Sequence, residues 1–458
     1  MSRYYEIIDR AAHGPLVSEE DWDLEYVAGT VRRLVRKYQL GWDPNKIVTD
    51  DPGLADAIFA AGMELAKATG IYCRSSGRIM QFSAEELEQG LKSMPQKLVL
   101  GAGKDARSLF PRRICDERPP LIWAGNPGAP IPEDLYKKAV ISYVQEPIVD
   151  LACSFSLTRI NGIEVRTGGP LEIVATRREM LLARSALREA GRPGMAVLAA
   201  ASAVSEIGDL AIANPTYMPA TDAHLVPMLN ELKMDNGNLA RAVNSIEYGV
   251  HNASLPCVIV GGLGGDAAGC AVVQVASFLL ANLVCLADYH ILHPIHVRQV
   301  ATSTRSVLWV ENIVAQAFAR NAPCILVSDI YPKSGAMTRE LLYETAANAI
   351  VNTISGGHLE GPGAADGAIP NCSGVEARWM GEVGQAVVRQ QMTLAEANEL
   401  VLGLLPKYEH IFRQPGGNPG LPFEQVYDLE TLRPKPEWLE MYQEVKKEVR
   451  EMGLVGLD

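Results

Sequence analysis

The sequence predicts an α/β chain folded as a (β/α)8 barrel with helical N-terminal and C-terminal extensions. Three observations carry this expectation. Eight short apolar, β-branched runs recur between residues 121 and 361, each followed by a loop rich in Gly, Pro, Asn or Asp. Helical stretches such as PLEIVATRREMLLARSALREAG (170–191) and TRELLYETAANAIVNTIS (338–355) lie between them, the alternation that parallel strands joined by crossovers require. The chain has 458 residues, enough for one barrel with extensions. An open doubly wound sheet fits the same alternation and is the alternative.

Residues 1–95 read as a helical N-terminal extension. Ser18 precedes Asp21 by three residues in capping-box spacing, Asp51-Pro52 opens a second helix, and Ser83 with Glu86 opens a third. Residues 96–390 carry the barrel. Its strands are expected at LIWAG (121–125), VDLACSFSL (149–157), GMAVLAA (194–200) and AHLVPMLNEL (223–232). They continue at PCVIVGG (256–262), YHILHPIHVR (289–298), PCILVSDI (323–330) and SGGHLEG (355–361). KLVLGAG (97–103) is a ninth candidate. Residues 391–458 read as a helical C-terminal segment packed on the barrel.

Composition narrows the function classes. Hydrophobic residues make up 48% and charged residues 21%, ordinary for a globular protein. A net charge of −12 argues against nucleic acid, which needs a basic footprint. The basic clusters RRLVRK (32–37) and KKEVRE (446–451) alternate with apolar residues as solvated helix faces do. None of the eight cysteines stands in CxxC spacing, so reduced, buried thiols in a cytoplasmic setting are expected. The N-terminal MSRYYEIIDRAAHG lacks an apolar signal core. CAVVQVASFLLANLVCLA (270–287) contains Gln274, Ser277 and Asn282, and reads as a buried helix rather than a membrane span.

Several motifs could carry chemistry. GGLGGDAAG (261–269) loosely imitates a dinucleotide fingerprint, but no acidic strand end follows about 20 residues on. In HILHPIH, alternation along one strand would put His290 and His296 on one face and His293 on the other, so the three do not converge on one metal. One of them is expected to face the barrel interior near its mouth; a zinc site completed from distant strands stays open. Ionisable groups gather at three strand ends, where barrel enzymes build their sites. They are Asp222, His224 and Glu231; His296, Arg298 and Arg305; and Ser328, Asp329 and Tyr331.

The order AGRPGMAV (190–197), LNELK (229–233), the glycine loop 261–265, PIHVR with TSTR (294–298, 302–305) and GVEARWMGEV (374–383) resembles the corrinoid-dependent monomethylamine methyltransferases. DWDL (21–24), GIYC (70–73) and LVLGAGKDA (98–106) extend the resemblance over the whole chain. It implies a closed barrel in a homo-oligomer, typically a hexamer. The implied activity is methyl transfer from monomethylamine to Co(I) of a separate corrinoid protein, with no tightly bound cofactor of the enzyme's own. The family carries pyrrolysine on a strand inside the barrel; here that position is Leu198. The resemblance also sets Leu225 and Ala253 where the family has acids, Asp329 where it has a glutamine, and Tyr331 on its tyrosine.

A leucine forms no covalent adduct, so the expected activity is pyrrolysine-independent. The donor is a small methylated cation (an amine, quaternary ammonium or sulfonium) that gives its methyl group to the cognate corrinoid protein. Asp329 and the Tyr331 face would hold the cation, and Ala196 with Ala199 to Ala201 would leave it space. Glu231 or His224 would serve as acid where the leaving group needs a proton. Leu198, Leu225, Ala253 and His296 would line the substrate site. Arg298 and Arg305 would bind a substrate carboxylate or the corrin periphery. Two alternatives stay open: a barrel lyase or hydrolase using Asp329, Glu231 and His224, and a non-catalytic protein that binds the corrinoid partner.

Overall fold

The computed structural model describes residues 2–125, 128–199, 205–367, 369–370 and 372–457. Eight strands close into a barrel: β1 (Ile122–Ala124), β2 (Leu151–Cys153), β3 (Val197–Ala199), β4 (Ala223–Met228), β5 (His251–Pro256), β6 (Tyr289–Leu292), β7 (Leu326–Asp329) and β8 (His358–Gly361). Each pairs in parallel with the next, and β8 pairs with β1, which removes the open-sheet alternative. A helix follows each strand: α1 (Glu133–Val144), α2 (Pro170–Glu189), α3 (Glu206–Ile212), α4 (Asn236–Tyr248), α5 (Ala267–Val284), α6 (Arg305–Asn321), α7 (Arg339–Ser355) and α8 (Gly374–Arg389). Seven of the expected runs contain their barrel strand.

The fifth strand lies earlier than expected. It is HNASLP, while Ile259–Val260 pairs with Ile295–His296 beyond the barrel's C-terminal end. β5 tolerates its polar composition because its outward side chains find partners. Asn252 Nδ2 donates to the Cys285 carbonyl at 3.0 Å, and Ser254 Oγ lies 2.7 Å from His290 Nδ1. These hydrogen bonds offset much of the usual penalty on burying such residues.

The ninth candidate is no barrel strand. Leu98–Leu100 pairs antiparallel with Arg107–Leu109, and Leu98, Leu100 and Leu109 join the apolar cluster inside the barrel. This hairpin plugs the N-terminal end of the barrel. Gly101 N donates to Thr221 O at 2.9 Å, and Ala102 N donates to Gly194 O at 2.8 Å. A Cβ on Gly194 would sit 2.1 Å from the Ala102 carbonyl oxygen, so the turn before β3 needs glycine.

α5 is apolar on every face because the N-terminal extension covers its outer side. All 18 residues of the helix are buried, and Pro52–Thr69 packs along it. Gly62 makes the close approach possible, since a Cβ there would lie 2.4 Å from Val275. The predicted caps form: Asp51 accepts from Leu54 N, and Ser83 with Glu86 closes a capping box. The extension also carries a hairpin, Ile71–Cys73 with Arg78–Met80, which Lys233–Met234 joins from the loop after β4. At the other end, Leu394–Tyr408 and Pro436–Glu451 pack on α7, where Arg339 pairs with Glu444 and Glu448. All eight cysteines are free; Cys115 is exposed, contrary to the expected burial.

Candidate active site

Alternation along a strand decides which side chains enter a barrel. Leu198 on β3 points inward and pairs in register with Cys153 of β2 and Ala223 of β4. Leu225 and Ala253, opposite one another on β4 and β5, join the same interior cluster. The three positions that the resemblance marked therefore form one apolar wall with Ala196. Ala200 and Ala201, expected to leave space, lie outside the described residues.

The facing wall is acidic. Asp329, the last residue of β7, stands in register with Glu360 of β8, and both side chains enter the barrel. Asp329 is 3% exposed and Glu360 is fully buried. Glu360 Oε1 accepts the Cys153 thiol at 3.3 Å. Asp329 Oδ2 lies 3.2 Å from His293 Nδ1, which is also 3.2 Å from the Asp329 carbonyl oxygen. The remaining oxygens, Asp329 Oδ1 and Glu360 Oε2, accept no hydrogen bond among the described residues.

Aromatic rings border the pair. The Tyr331 ring stands edge-on to His293 at 4.6 Å, and Trp123, in register with Glu360, lies 6.2 Å from Tyr289. Thr302 fixes Tyr331 from behind: its hydroxyl accepts Tyr331 N at 2.9 Å while its own N–H donates to Tyr331 O. The TSTR motif thus positions a residue that borders the acid pair.

Electrostatics follow from burial. Glu360 is pushed up to about 7, chiefly by desolvation, against which the Cys153 contact works. Asp329 is held well above the usual carboxylate range, first by burial and then by repulsion from Glu360 and Glu311. Burial drives His293 down to about 4, so the imidazole is neutral and its contact with Asp329 is a hydrogen bond rather than an ion pair. Among the described residues no three His, Cys, Asp or Glu side chains are grouped to hold a metal.

The other predicted residues lie elsewhere. His224 sits on the outward face of β4, fully buried, with Nδ1 2.9 Å from Ser245 Oγ; desolvation lowers it to about 3. Leu225 occupies the inward face, so alternation excludes His224 from the interior. Glu231 lies at the rim, where its carboxylate accepts Ile259 N and Gly264 N at 3.2 and 2.9 Å. The glycine loop therefore spends amides on a protein acid. His296 Nδ1 accepts from the Arg298 and Gln299 amides, which folds a rim loop with Arg298 exposed. Arg305 is held by Glu409 of the C-terminal segment and by the Pro44 carbonyl, away from the pocket.

Comparison with known proteins shows the family of the chain. The family model for monomethylamine methyltransferase MtmB matches residues 3–454. The chain belongs to the monomethylamine methyltransferase family. It is 30% identical to monomethylamine methyltransferase MtmB2 of Methanosarcina acetivorans over 455 residues, 98% of each chain. MtmB1 of Methanosarcina barkeri is 30% identical over 457 residues, with the same shares. The crystal structure of the Methanosarcina barkeri monomethylamine methyltransferase superposes with a TM-score of 0.95, at 28% identity and over 98% of both chains. A structure of the hydroxylamine MtmB complex matches equally well. Within this family fold, sequence reasoning missed Glu360, Cys153 and the aromatic border of Trp123 and Tyr289. The one available signal was a glutamate at the C-terminal end of the expected eighth strand.

Proposed function

We propose that this family member is a pyrrolysine-independent methyltransferase. It moves a methyl group from a small methylated cation to Co(I) of a partner corrinoid protein, acting in the cytoplasm and as a homo-oligomer. One observation carries the reading: two buried acids, each with an oxygen that has no partner among the described residues, face the apolar wall around Leu198 at the barrel's C-terminal mouth. A methylated cation matches both walls, its charge against the acids and its methyl groups against Leu198, Leu225 and Ala253.

Cobalt supplies the nucleophile from the partner, so this chain needs none. Its residues orient the donor, keep water out and stabilise the positive centre until the C–N or C–S bond breaks. The electron pair of that bond stays on nitrogen or sulfur, a neutral amine or thioether departs, and no proton moves. That sequence dispenses with a covalent adduct and fits a leucine at position 198. The rim offers exposed Val297, Arg298 and Val300 to an approaching partner. A lyase or hydrolase is less well supported, because His224 faces out and Glu231 is occupied by backbone amides.

The test mixes the protein with a reduced corrinoid protein and a panel of methylated amines, betaines, sulfoniums and methyl ethers. Conversion of the Co(I) absorbance to methyl-Co(III) is expected with a cationic donor. No conversion with any donor, under conditions where a pyrrolysine-containing relative works, removes the reading.

A further inference from the structure

We infer that Asp329 and Glu360 together form a charge-recognition site at the C-terminal end of the barrel interior, and that Glu360 makes it selective for onium donors lacking a carboxylate. The inference rests on the proposed function for the idea of a donor, but its own content is recognition. Two independent observations point to a bound cation. Each acid keeps one oxygen without a partner among the described residues although both side chains are at least nine-tenths buried, a costly arrangement unless something completes it. Aromatic rings flank the acids: Trp123 stands in register with Glu360 and lies beside Tyr289, and Tyr331 stands edge-on to His293, the partner of Asp329, the surroundings a methylated onium group selects.

Selectivity follows from what the interior lacks. None of the eight barrel strands contains Lys or Arg. Arg305 is committed to Glu409, and Arg298 lies exposed on the rim. A zwitterion such as a betaine would therefore bring its carboxylate beside two acids with no buried cation to meet it. A metal ion is a poorer fit, since the described residues supply no third ligand of the right kind. Cys153 and His293 act as positioning residues: one holds Glu360 Oε1 and the other Asp329 Oδ2, leaving the free oxygens to the ligand.

Calorimetric titration of the full chain, without corrinoid, tests the inference. The probes are tetramethylammonium, choline, glycine betaine, and the neutral analogue of choline in which a tert-butyl group replaces trimethylammonium. Tetramethylammonium and choline are expected to bind at least about tenfold more tightly than the betaine or the neutral analogue. Glu360→Gln should reduce that preference over the betaine to within about threefold while the circular dichroism spectrum stays native. Equal affinity of wild type for choline and betaine overturns the inference, whatever the variant does. So does a Glu360→Gln protein with unchanged preference. Selective binding with no methyl transfer to any reduced corrinoid protein would instead remove the activity and leave the recognition site standing.

Discussion

Asp329 and Glu360 occupy paired positions on β7 and β8 and set two buried acids side by side, with no cation among the groups that shift either one. Among the described residues neither oxygen pair is fully satisfied: Cys153 serves one Glu360 oxygen and His293 one Asp329 oxygen. A barrel interior built for stability alone would carry apolar residues there, as the Leu198 side does. The cost of the acids is the clearest sign of a ligand.

That cost is measurable as stability. Glu360 rises from an ordinary 4.5 to about 7 in the folded state, so the folded chain binds a proton that the unfolded chain releases. Its destabilising contribution is absent below the unfolded value and grows as pH rises toward the folded one, to about 3 kcal/mol. Glu360→Gln should therefore melt higher than wild type at pH 8, by roughly a few degrees, with the gap closing near pH 5. Thermal denaturation followed by circular dichroism at both pH values checks this. A variant that melts lower at pH 8 would mean that the carboxylate is engaged by partners.

The same proton competes with a cationic ligand. Binding of tetramethylammonium should strengthen as pH rises from about 6 to 8, because deprotonating Glu360 exposes the charge that the cation meets. Burial raises the thiols of Cys153 and Cys257 and the phenols of Tyr289 and Tyr331 and lowers His293 to about 4, so these groups stay uncharged in this window. Asp329 and Glu311 are raised in the same direction as Glu360, so any ionisation they undergo on the way up in pH also favours the cation. Titrations at three pH values provide the measurement, and a flat profile would exclude Glu360 as the responsive group.

Asp329→Asn keeps the size of the side chain and removes a carboxyl group that a bound cation would draw into its charged form. Methyl transfer from a cationic donor should fall at least about a hundredfold, mainly through weaker binding. Wild-type rates at low donor concentration would place Asp329 outside the working site.

The sequence made the barrel legible because seven strands are short apolar runs followed by amphipathic helices. β5 escaped because HNASLP is polar on its outward face, and PCVIV nearby looks more strand-like. Only the packing of Asn252 and Ser254 shows why the polar segment won. In HILHPIH, Pro294 ends β6, so alternation does not run on to His296, which belongs to a separate two-residue strand. Asp329 stood out as an acid at a strand end, whereas Glu360 read as an ordinary polar residue in a weak strand. Its partner on the neighbouring strand is a matter of register, which no local pattern reveals. His224 looked equally available, yet one step along β4 turned it toward the helices.

Leu198→Trp tests the apolar wall. Leu198 is 1% exposed and already packed, so the larger ring should cost about 1–3 kcal/mol. The folded variant should lose binding of tetramethylammonium, since the ring occupies the space beside Cys153 and Ala223. Calorimetry on material with a native circular dichroism spectrum separates the two effects. Retained affinity would make this strand ordinary core.

Glu231→Gln addresses the rim. The glutamate holds two backbone amides of the loop after β5, and burial pushes it up to about 7 even though both amides favour its charged form. A glutamine has one carbonyl oxygen, so one of the two amides must face its NH2 group instead. The expected result is a loop at 259–264 that opens more readily, seen as hydrogen exchange at Gly264 faster by about tenfold. Affinity for tetramethylammonium should stay within about twofold, because Glu231 does not touch the Asp329–Glu360 pair. A large loss of affinity with unchanged exchange would reverse the assignment and make Glu231 a ligand-binding acid, as its place at a strand end first implied.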